Sequence, residues 1–321
     1  MQKRQIGRSS LQVPIVCLGG NVFGWTVDER ESFRLLDAAL DEGLTFIDTA
    51  DVYSRWVTGH KGGESETVIG KWFARSGRRS QVVLATKLGF DMGDGKKGLS
   101  RKYIGEAIEA SLRRLQTDYI DLYQAHTDDT ETSLEETLTA FDELVKQGKV
   151  RVLGASNYKG ARLKEAIEIS QQNNLARYEC LQPNYSLMER AAFEEDLLPV
   201  VQQYGIGVIP YAALAAGFLT GKYRSKQDAS GKARGPMVEK YLNDHGFGVV
   251  HALDAVAAEL HSTPARVALA WLIAKPGVTS PIASATSLDH LKDLVEATRL
   301  KLPPNAIARL DEASSPARKA A

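Results

Sequence analysis

The chain has 321 residues, with 40 Lys plus Arg against 40 Asp plus Glu, so its formal net charge is zero; 43% of it is apolar and 25% charged. That is the make-up of an ordinary globular protein. Nucleic acid is bound through an excess of basic charge that displaces counterions, and with no such excess here it is not an expected partner.

The opening segment KRQIGRSSLQVP reads as a β-hairpin with a polar turn at Gly7 to Ser10, lying across the bottom of the fold. No apolar stretch of signal-peptide length follows its basic residues, so export is not expected and the cytoplasm fits best. Apolar β-rich runs then recur about every 30 to 39 residues: IVCLGG (15–20), TFIDTA (45–50), VVLATKL (82–88), IDLYQAH (120–126), VLGASN (152–157), ECLQPNY (179–185), GVIPYAA (207–213) and SPIASAT (280–286). Between them, Phe33, Leu36 and Leu40, then Ile104, Ile108, Leu112 and Leu115, then Leu134, Leu138, Phe141 and Val145, keep helical spacing with one apolar face. Thr26 to Glu29 and Ser133 to Glu136 have the form of capping boxes at two of the helix starts. Alternating strands and helices, with strands apolar along their length, imply parallel strands covered on both faces. Eight units fit a closed (β/α)8 TIM barrel of the α/β class, in one domain over residues 1–321. The interval from Gly207 to Ser280 is long enough for an extra element after the seventh strand, expected within Lys222 to Phe247. Cys17 and Cys180, each inside an apolar run, read as small buried hydrophobes of a reducing compartment. The uncharged run Leu197 to Gly221 carries Gln202, Gln203, Pro199 and Pro210 and is too polar and broken to span a membrane.

In such a barrel the active site lies at the carboxyl ends of the strands, so polar residues that end apolar strands are informative. Asp48, Lys87 and His126 do so at spacings of 39 and 39 residues, and Tyr53 lies five residues past Asp48. Desolvating a carboxylate, an ammonium and an imidazole at one rim costs stability unless the site uses them. A mechanism accounts for the set. Tyrosine, with a pKa of about 10, gives up a proton reluctantly at neutral pH, and a nearby ammonium lowers that pKa. Lys87 would do this for Tyr53, Asp48 would orient Lys87, and His126 would donate a hydrogen bond to a substrate carbonyl. No metal ligands are assigned.

The segments FIDTADVY (46–53), LATK (84–87), DLYQAH (121–126), GASN (154–157) and FLTGKY (218–223) resemble the aldo-keto reductases from about Gln5 to Leu302. The pattern is similar to the longer branch that includes bacterial reductases and potassium-channel β subunits. The resemblance implies that Asp48, Tyr53, Lys87 and His126 form a catalytic tetrad, with Tyr53 the proton donor and a nicotinamide cofactor the hydride source. It further implies that Ser156, Asn157 and Gln182 hold the nicotinamide carboxamide, that Tyr211 stacks on its ring, and that Gly20, Asn21, Leu214, Gly217, Leu219, Gly221 and Lys222 contact the cofactor, the last four along its pyrophosphate. Trp25, Trp56 and Phe90 would wall the pocket of a small aldehyde or ketone. The chain departs from the family at Ala212–Gly217, where relatives commonly read Ser-Pro-Leu-Ala-Gly-Gly, and at Thr286, where NADPH users often carry an arginine. His290 and Leu294 replace the later glutamine and asparagine. Ser284, Thr286 and Ser287, at a helix start, would still receive a phosphate, and with family habit this favours NADPH over NADH; His290 is assigned to the same end of the cofactor.

Gly93, Gly95 and Gly98 spell the dinucleotide fingerprint G-x-G-x-x-G, but the helix is expected to begin at Ser100, after the motif, so GDGKKG reads as a surface loop. Two other functions compete with carbonyl reduction: a regulatory module that senses its cofactor, and a Schiff-base aldolase on Lys87, which pairing with Asp48 opposes. The sequence fixes neither substrate nor oligomeric state.

Overall fold

The computed structural model describes residues 1–316; the last residues of the expected single domain, 317–321, lie outside that description. A short antiparallel hairpin of β1 (Lys3–Gln5) and β2 (Gln12–Pro14) comes first. Eight parallel strands follow, β3 (Cys17–Gly19), β4 (Phe46–Asp48), β5 (Val83–Leu88), β6 (Ile120–Ala125), β7 (Val150–Ser156), β8 (Tyr178–Gln182), β9 (Gly207–Val208) and β10 (Ile282–Ala283), one in each expected apolar run and hydrogen-bonded in the order β10-β3-β4-β5-β6-β7-β8-β9. The ends of that order meet. Thr279 N–H donates to the Val208 carbonyl at 2.7 Å and Ile282 N–H to the Pro210 carbonyl at 2.9 Å, which curls the sheet into a barrel.

Helices α1 (Glu29–Asp41), α2 (Glu64–Ser76), α3 (Arg101–Leu115), α4 (Leu134–Lys146) and α5 (Gly160–Gln172) alternate with the strands and bury the apolar faces read from their spacing. A π-helical turn (Ala192–Leu197) leads into α6 (Leu198–Tyr204). Between β9 and β10 lie a 3-10 turn (Ala215–Thr220), further short turns including α7 (Gly235–Val238), and two full helices, α8 (Asp244–Glu259) and α9 (Pro264–Ala274). The extra element is therefore larger than expected. Lys222–Phe247 holds only its short turns and the start of α8, which continues to Glu259. Helix α10 (Leu288–Ala297) follows β10, and α11 (Pro304–Ala313) packs on α8. No described helix is long and apolar enough to cross a membrane.

Two helix starts differ from the reading. Thr26 is held in a turn in which Val27 N–H donates to the Val22 carbonyl, and the cap of α1 is Asp28, whose side chain accepts from Glu31 N–H at 2.8 Å. Ser133 does cap α4, but the Glu136 carboxylate turns away to accept from Arg101 N–H at 2.9 Å, joining the start of α3 to that of α4.

The hairpin closes the barrel floor. Ile6 and Val13 are fully buried against Cys17, Phe46, Leu122, Cys180 and Ile282, which strands β3, β4, β6, β8 and β10 turn inward. Arg4 donates to the Val278 and Ile273 carbonyls at 2.7 and 2.9 Å. Gly7 has φ +55°, and a Cβ there would collide with the Glu179 carbonyl oxygen, so only glycine fits at this approach. Gly93, Gly95 and Gly98 lie in the loop between β5 and the Ser100 cap of α3, outside any strand–helix turn.

Candidate active site

At the opposite end, the carboxyl ends of the strands place four ionisable groups around one opening. Asp48 is the last residue of β4, Lys87 sits within the last turn of the pleat of β5, and His126 directly follows β6. Strand side chains alternate between faces, so Lys87 points into the barrel while its neighbours Thr86 and Leu88 point to the helices. Tyr53 lies in the turn after β4, fixed by Ser54, a buried residue at φ +74° whose hydroxyl donates to the Phe23 carbonyl at 3.3 Å.

Lys87 and Asp48 are both fully buried, and the Lys87 ammonium donates to Asp48 Oδ1 at 2.8 Å, Asp48 Oδ2 at 2.7 Å and the Thr49 carbonyl at 2.6 Å. The Tyr53 hydroxyl donates to Asp48 Oδ2 at 3.4 Å, and the ammonium lies 4.8 Å from the Tyr53 ring centroid. This differs from the expected tuning. Burial and the Asp48 carboxylate push the Tyr53 pKa well above its ordinary value, because the Lys87 charge is already paired with the carboxylate that faces the phenol. Tyr53 therefore keeps its proton. His126 is buried with Nδ1 unpartnered, and burial together with the Lys87 charge holds its pKa well below the ordinary histidine value. Its imidazole is neutral at pH 7.

A second group of side chains lies beside the first. Gln182 Nε2 donates to Asp48 Oδ1 at 2.8 Å, Ser156 Oγ donates to the Gln182 carbonyl at 2.8 Å, and Asn157 Nδ2 donates to the His126 carbonyl at 2.8 Å. The Tyr211 hydroxyl donates to Asn157 Oδ1 at 2.9 Å, and Asn157 itself sits at φ +58°. The four residues expected at a nicotinamide are thus one hydrogen-bonded cluster, and the Asn184 Oδ1 beside it is buried without a partner. Asn21 and Ser284, 263 residues apart, meet with the Ser284 hydroxyl donating at 2.5 Å. Gly20 belongs to the same rim: its N–H donates to the Asp48 carbonyl at 2.7 Å, and a Cβ would stand 3.0 Å from that oxygen.

Aromatic rings form an arc over the opening. Trp25 stands 5.4 Å from Trp56, Trp56 6.0 Å from Tyr53, Tyr53 5.9 Å from His126, and Phe90 4.4 Å from His126, all centroid to centroid. Trp56 and Phe90 remain exposed.

The model of the aldo/keto reductase family matches residues 15–315. Relatives include the "uncharacterized oxidoreductase YrpG" of Bacillus subtilis (strain 168), 37% identical over 97% of this chain and 95% of that protein. The "probable voltage-gated potassium channel subunit beta" of Oryza sativa subsp. japonica is 34% identical over 92% and 91% of the two chains. "Protein tas" of Escherichia coli (strain K12) is 32% identical over 97% of each. The chain belongs to the aldo/keto reductase family.

The remaining residues expected at the cofactor lie in and around the 3-10 turn Ala215–Thr220 and the start of α10. Leu219, expected at the cofactor, and Leu294, which stands where relatives carry an asparagine, are both buried in the core. Gly221 ends a 3-10 turn at φ +77°, where a side chain would meet the Arg224 guanidinium. Around α10 the hydroxyls are engaged: Ser287 accepts from His290 N–H, and Thr286 shares a 3.0 Å hydrogen bond with His290 Nδ1. Leu214 packs partly on the core, and Gly217, at φ +95°, faces the Lys222 ammonium, 3.0 Å from where a Cβ would stand.

A further residue at the opening, not singled out from the sequence, is Arg234, in the segment expected to hold the extra element. Its guanidinium lies over the Trp25 ring at 5.8 Å, closing the extra segment against the opposite side of the opening. Lys222, Lys232 and Arg234 have no salt-bridge partner among the described residues. Burial, Arg234 and Lys232 lower the pKa of Lys222, and burial lowers that of Arg234. The signal in the sequence was the run from Lys222 to Arg234, in which Lys222, Arg224, Lys226, Lys232 and Arg234 are met only by Asp228.

Proposed function

We propose that this protein reduces an aldehyde or ketone to the alcohol, with Tyr53 donating the proton and a nicotinamide cofactor as the reductant. The observation that carries the reading is the convergence of a protonated Tyr53, the Asp48–Lys87 pair and a neutral His126 at one aromatic-walled opening. A carbonyl oxygen seated between Tyr53 and His126 accepts hydrogen bonds from both. As negative charge develops on that oxygen, the Tyr53 proton passes to it, and the phenolate left behind faces the Lys87 ammonium 4.8 Å from its ring. Trp25, Trp56 and Phe90 keep water from the reacting atoms.

The residues present fit the cofactor. The amide and hydroxyl cluster of Ser156, Asn157 and Gln182, with the unpartnered Asn184 Oδ1, matches the donors and acceptors of a carboxamide, and Tyr211 offers a ring beside it. When bound, the reduced nicotinamide supplies hydride to the carbonyl carbon. Lys222, Lys232 and Arg234 would hold the phosphates, and three cations without carboxylate partners favour NADPH over NADH. Gln182 must exchange its Asp48 contact for the carboxamide as the cofactor seats. The aldolase reading finds no free amine, since all three protons of the Lys87 ammonium are taken. A cofactor-sensing role has in its support the name of the rice relative, and turnover at saturating cofactor and carbonyl separates the two readings.

Parallel fluorescence titrations with NADPH and NADH, followed by an aldehyde screen, test the proposal. NADPH is expected to bind more tightly. Tyr53→Phe, which removes the acid and keeps the ring, is expected to lower turnover by at least about a hundredfold with little change in cofactor affinity. Turnover equal to that of the wild type in Tyr53→Phe would refute the mechanism.

A further inference from the structure

Behind the tetrad, on the outer face of β5, lies a second buried polar cluster. Glu66 of α2 is fully buried; its Oε1 accepts from the Thr86 hydroxyl at 2.6 Å and its Oε2 from Arg114 Nε of α3 at 2.7 Å. Arg114 also donates to Ser111 Oγ at 3.1 Å. Thr86 immediately precedes Lys87, and alternation along the strand sends its side chain to the helices while Lys87 enters the barrel. The loop after β4 is stitched to the same strand. Thr49 N–H donates to the Ala85 carbonyl at 2.9 Å, and Asp51 N–H to the Lys87 carbonyl at 3.0 Å. Asp51 is itself buried, with Oδ1 unpartnered, and the hydroxyl of Tyr123, which pairs with Thr86 across β5 and β6, is buried and unpartnered too.

We propose that Asp51, Glu66, Thr86 and Arg114 form a positioning cluster that holds Lys87, Asp48 and Tyr53 in register from behind the sheet, with Asp51 carrying its proton. The charges require the last point. The titratable groups near enough for their charges to act with Asp51 are Glu66 from α2, Arg114 and Tyr103 from α3, Tyr123 from β6 and Lys87 from β5, and the Lys87 ammonium is paired with Asp48. The cluster holds two buried carboxyl groups, Asp51 and Glu66, and one guanidinium, which Glu66 takes, so it is neutral only with one carboxyl protonated. Asp51 is the one without a charged partner at hydrogen-bond distance, and burial and Glu66 raise its pKa well above the ordinary carboxylate range. In the chain Asp51 lies between Asp48 and Tyr53, and Thr86 next to Lys87. The cluster therefore grips both chain segments that bear the acid and its ion pair.

The inference rests on the reductase reading for its kinetic arm and has a second arm that does not. In the first, kcat and KM are measured with NADPH and 4-nitrobenzaldehyde. Thr86→Val is expected to lower kcat by about ten- to a hundredfold, with the Kd for NADPH within about twofold of the wild type and recovery in Thr86→Ser. In the second, urea unfolding of the wild type and Asp51→Asn is compared from about pH 5 to pH 9. A carboxyl protonated in the native state and ionised in the unfolded chain costs stability as pH rises, so the midpoint of Asp51→Asn should gain on that of the wild type. An active wild type matched by Thr86→Val overturns the positioning role and leaves the reductase reading standing. A wild type that turns over no carbonyl overturns the reductase reading, and the unfolding arm then decides the cluster. Unfolding curves whose difference is flat with pH overturn the protonated Asp51.

Discussion

His126 shows how one site can both need and oppose a buried imidazole. Its ring lies against Phe90 and Tyr53 and its Nδ1 has no partner, so a charge there would lack both solvent and acceptor, with the Lys87 ammonium adding repulsion. The unfolded chain meets no such penalty and takes a proton below a pKa of about 6.5. Below that pH the unfolded state binds the extra proton, so His126 lowers native stability as pH falls and is silent above it. His126→Gln should therefore remove a loss of up to about 1.4 kcal/mol per pH unit below about pH 6.5. Urea unfolding of the two proteins between about pH 5 and pH 8 checks this, and parallel pH dependences would contradict a neutral His126. Three of the four, Asp48, Lys87 and His126, were legible because each stands at the end of an apolar strand, a local signal, and Tyr53 because it follows Asp48 by five residues. The partners of those residues were not, because Glu66 and Arg114 look like ordinary charges on amphipathic helices, and only the fold brings Arg114 to Glu66 and Glu66 to Thr86. The same holds for Gln182, whose contact with Asp48 spans 134 residues.

Helix α2 is the element on which the rear of the site depends. It brings Ser65 to the Gly20 carbonyl at 2.7 Å and Glu66 to Thr86, and it can do so because Gly70 lets it lie directly on α3. A Cβ at Gly70 would collide with the Arg114 carbonyl oxygen and crowd the Leu115 backbone. In an isolated helix, alanine would be the better residue by about 1 kcal/mol. Here close packing should reverse the sign. Gly70→Ala is expected to destabilise by about 1–3 kcal/mol and to shift Glu66, so that turnover falls along with the unfolding midpoint. An unfolding curve at or above that of the wild type would show that the two helices separate without cost. Element boundaries had mixed legibility for a related reason. Thr26 and Asp28 both stand three residues before a glutamate, and what decides between them is the turn from Val22 to Val27, which draws Thr26 out of the helix. The two full helices after β9 left no distinct mark, since α8 and α9 are apolar over much of their length and lack the sharp stripe of α1 or α4.

The whole molecule divides its labour between the ends of the barrel. At the carboxyl ends of the strands stand the Asp48–Lys87 ion pair with Tyr53 and His126 and the cations of the extra segment; at the amino ends the hairpin drives Ile6 and Val13 into an apolar interior built by side chains of neighbouring strands. This polarity was visible in the sequence at the three apolar runs that close on or next to Asp48, Lys87 and His126. The extent of the floor was not, because two strands of three residues carry too short a pattern to show which side chains turn inward. If the ends act separately, changes at each should be independent, as expected for sites that share no partner. Ile6→Ala removes side-chain volume from a fully buried site and should lower stability by about 2–5 kcal/mol. Turnover at a temperature where the variant remains folded should stay within about twofold of the wild type. Tyr53→Phe should do the opposite, and the double variant should show the sum of the two effects on stability and on log kcat. Measuring the four proteins by urea unfolding and by steady-state turnover completes the cycle. A marked fall of kcat in Ile6→Ala would mean that the floor reaches the chemistry through the strands, and the separation of ends would fail.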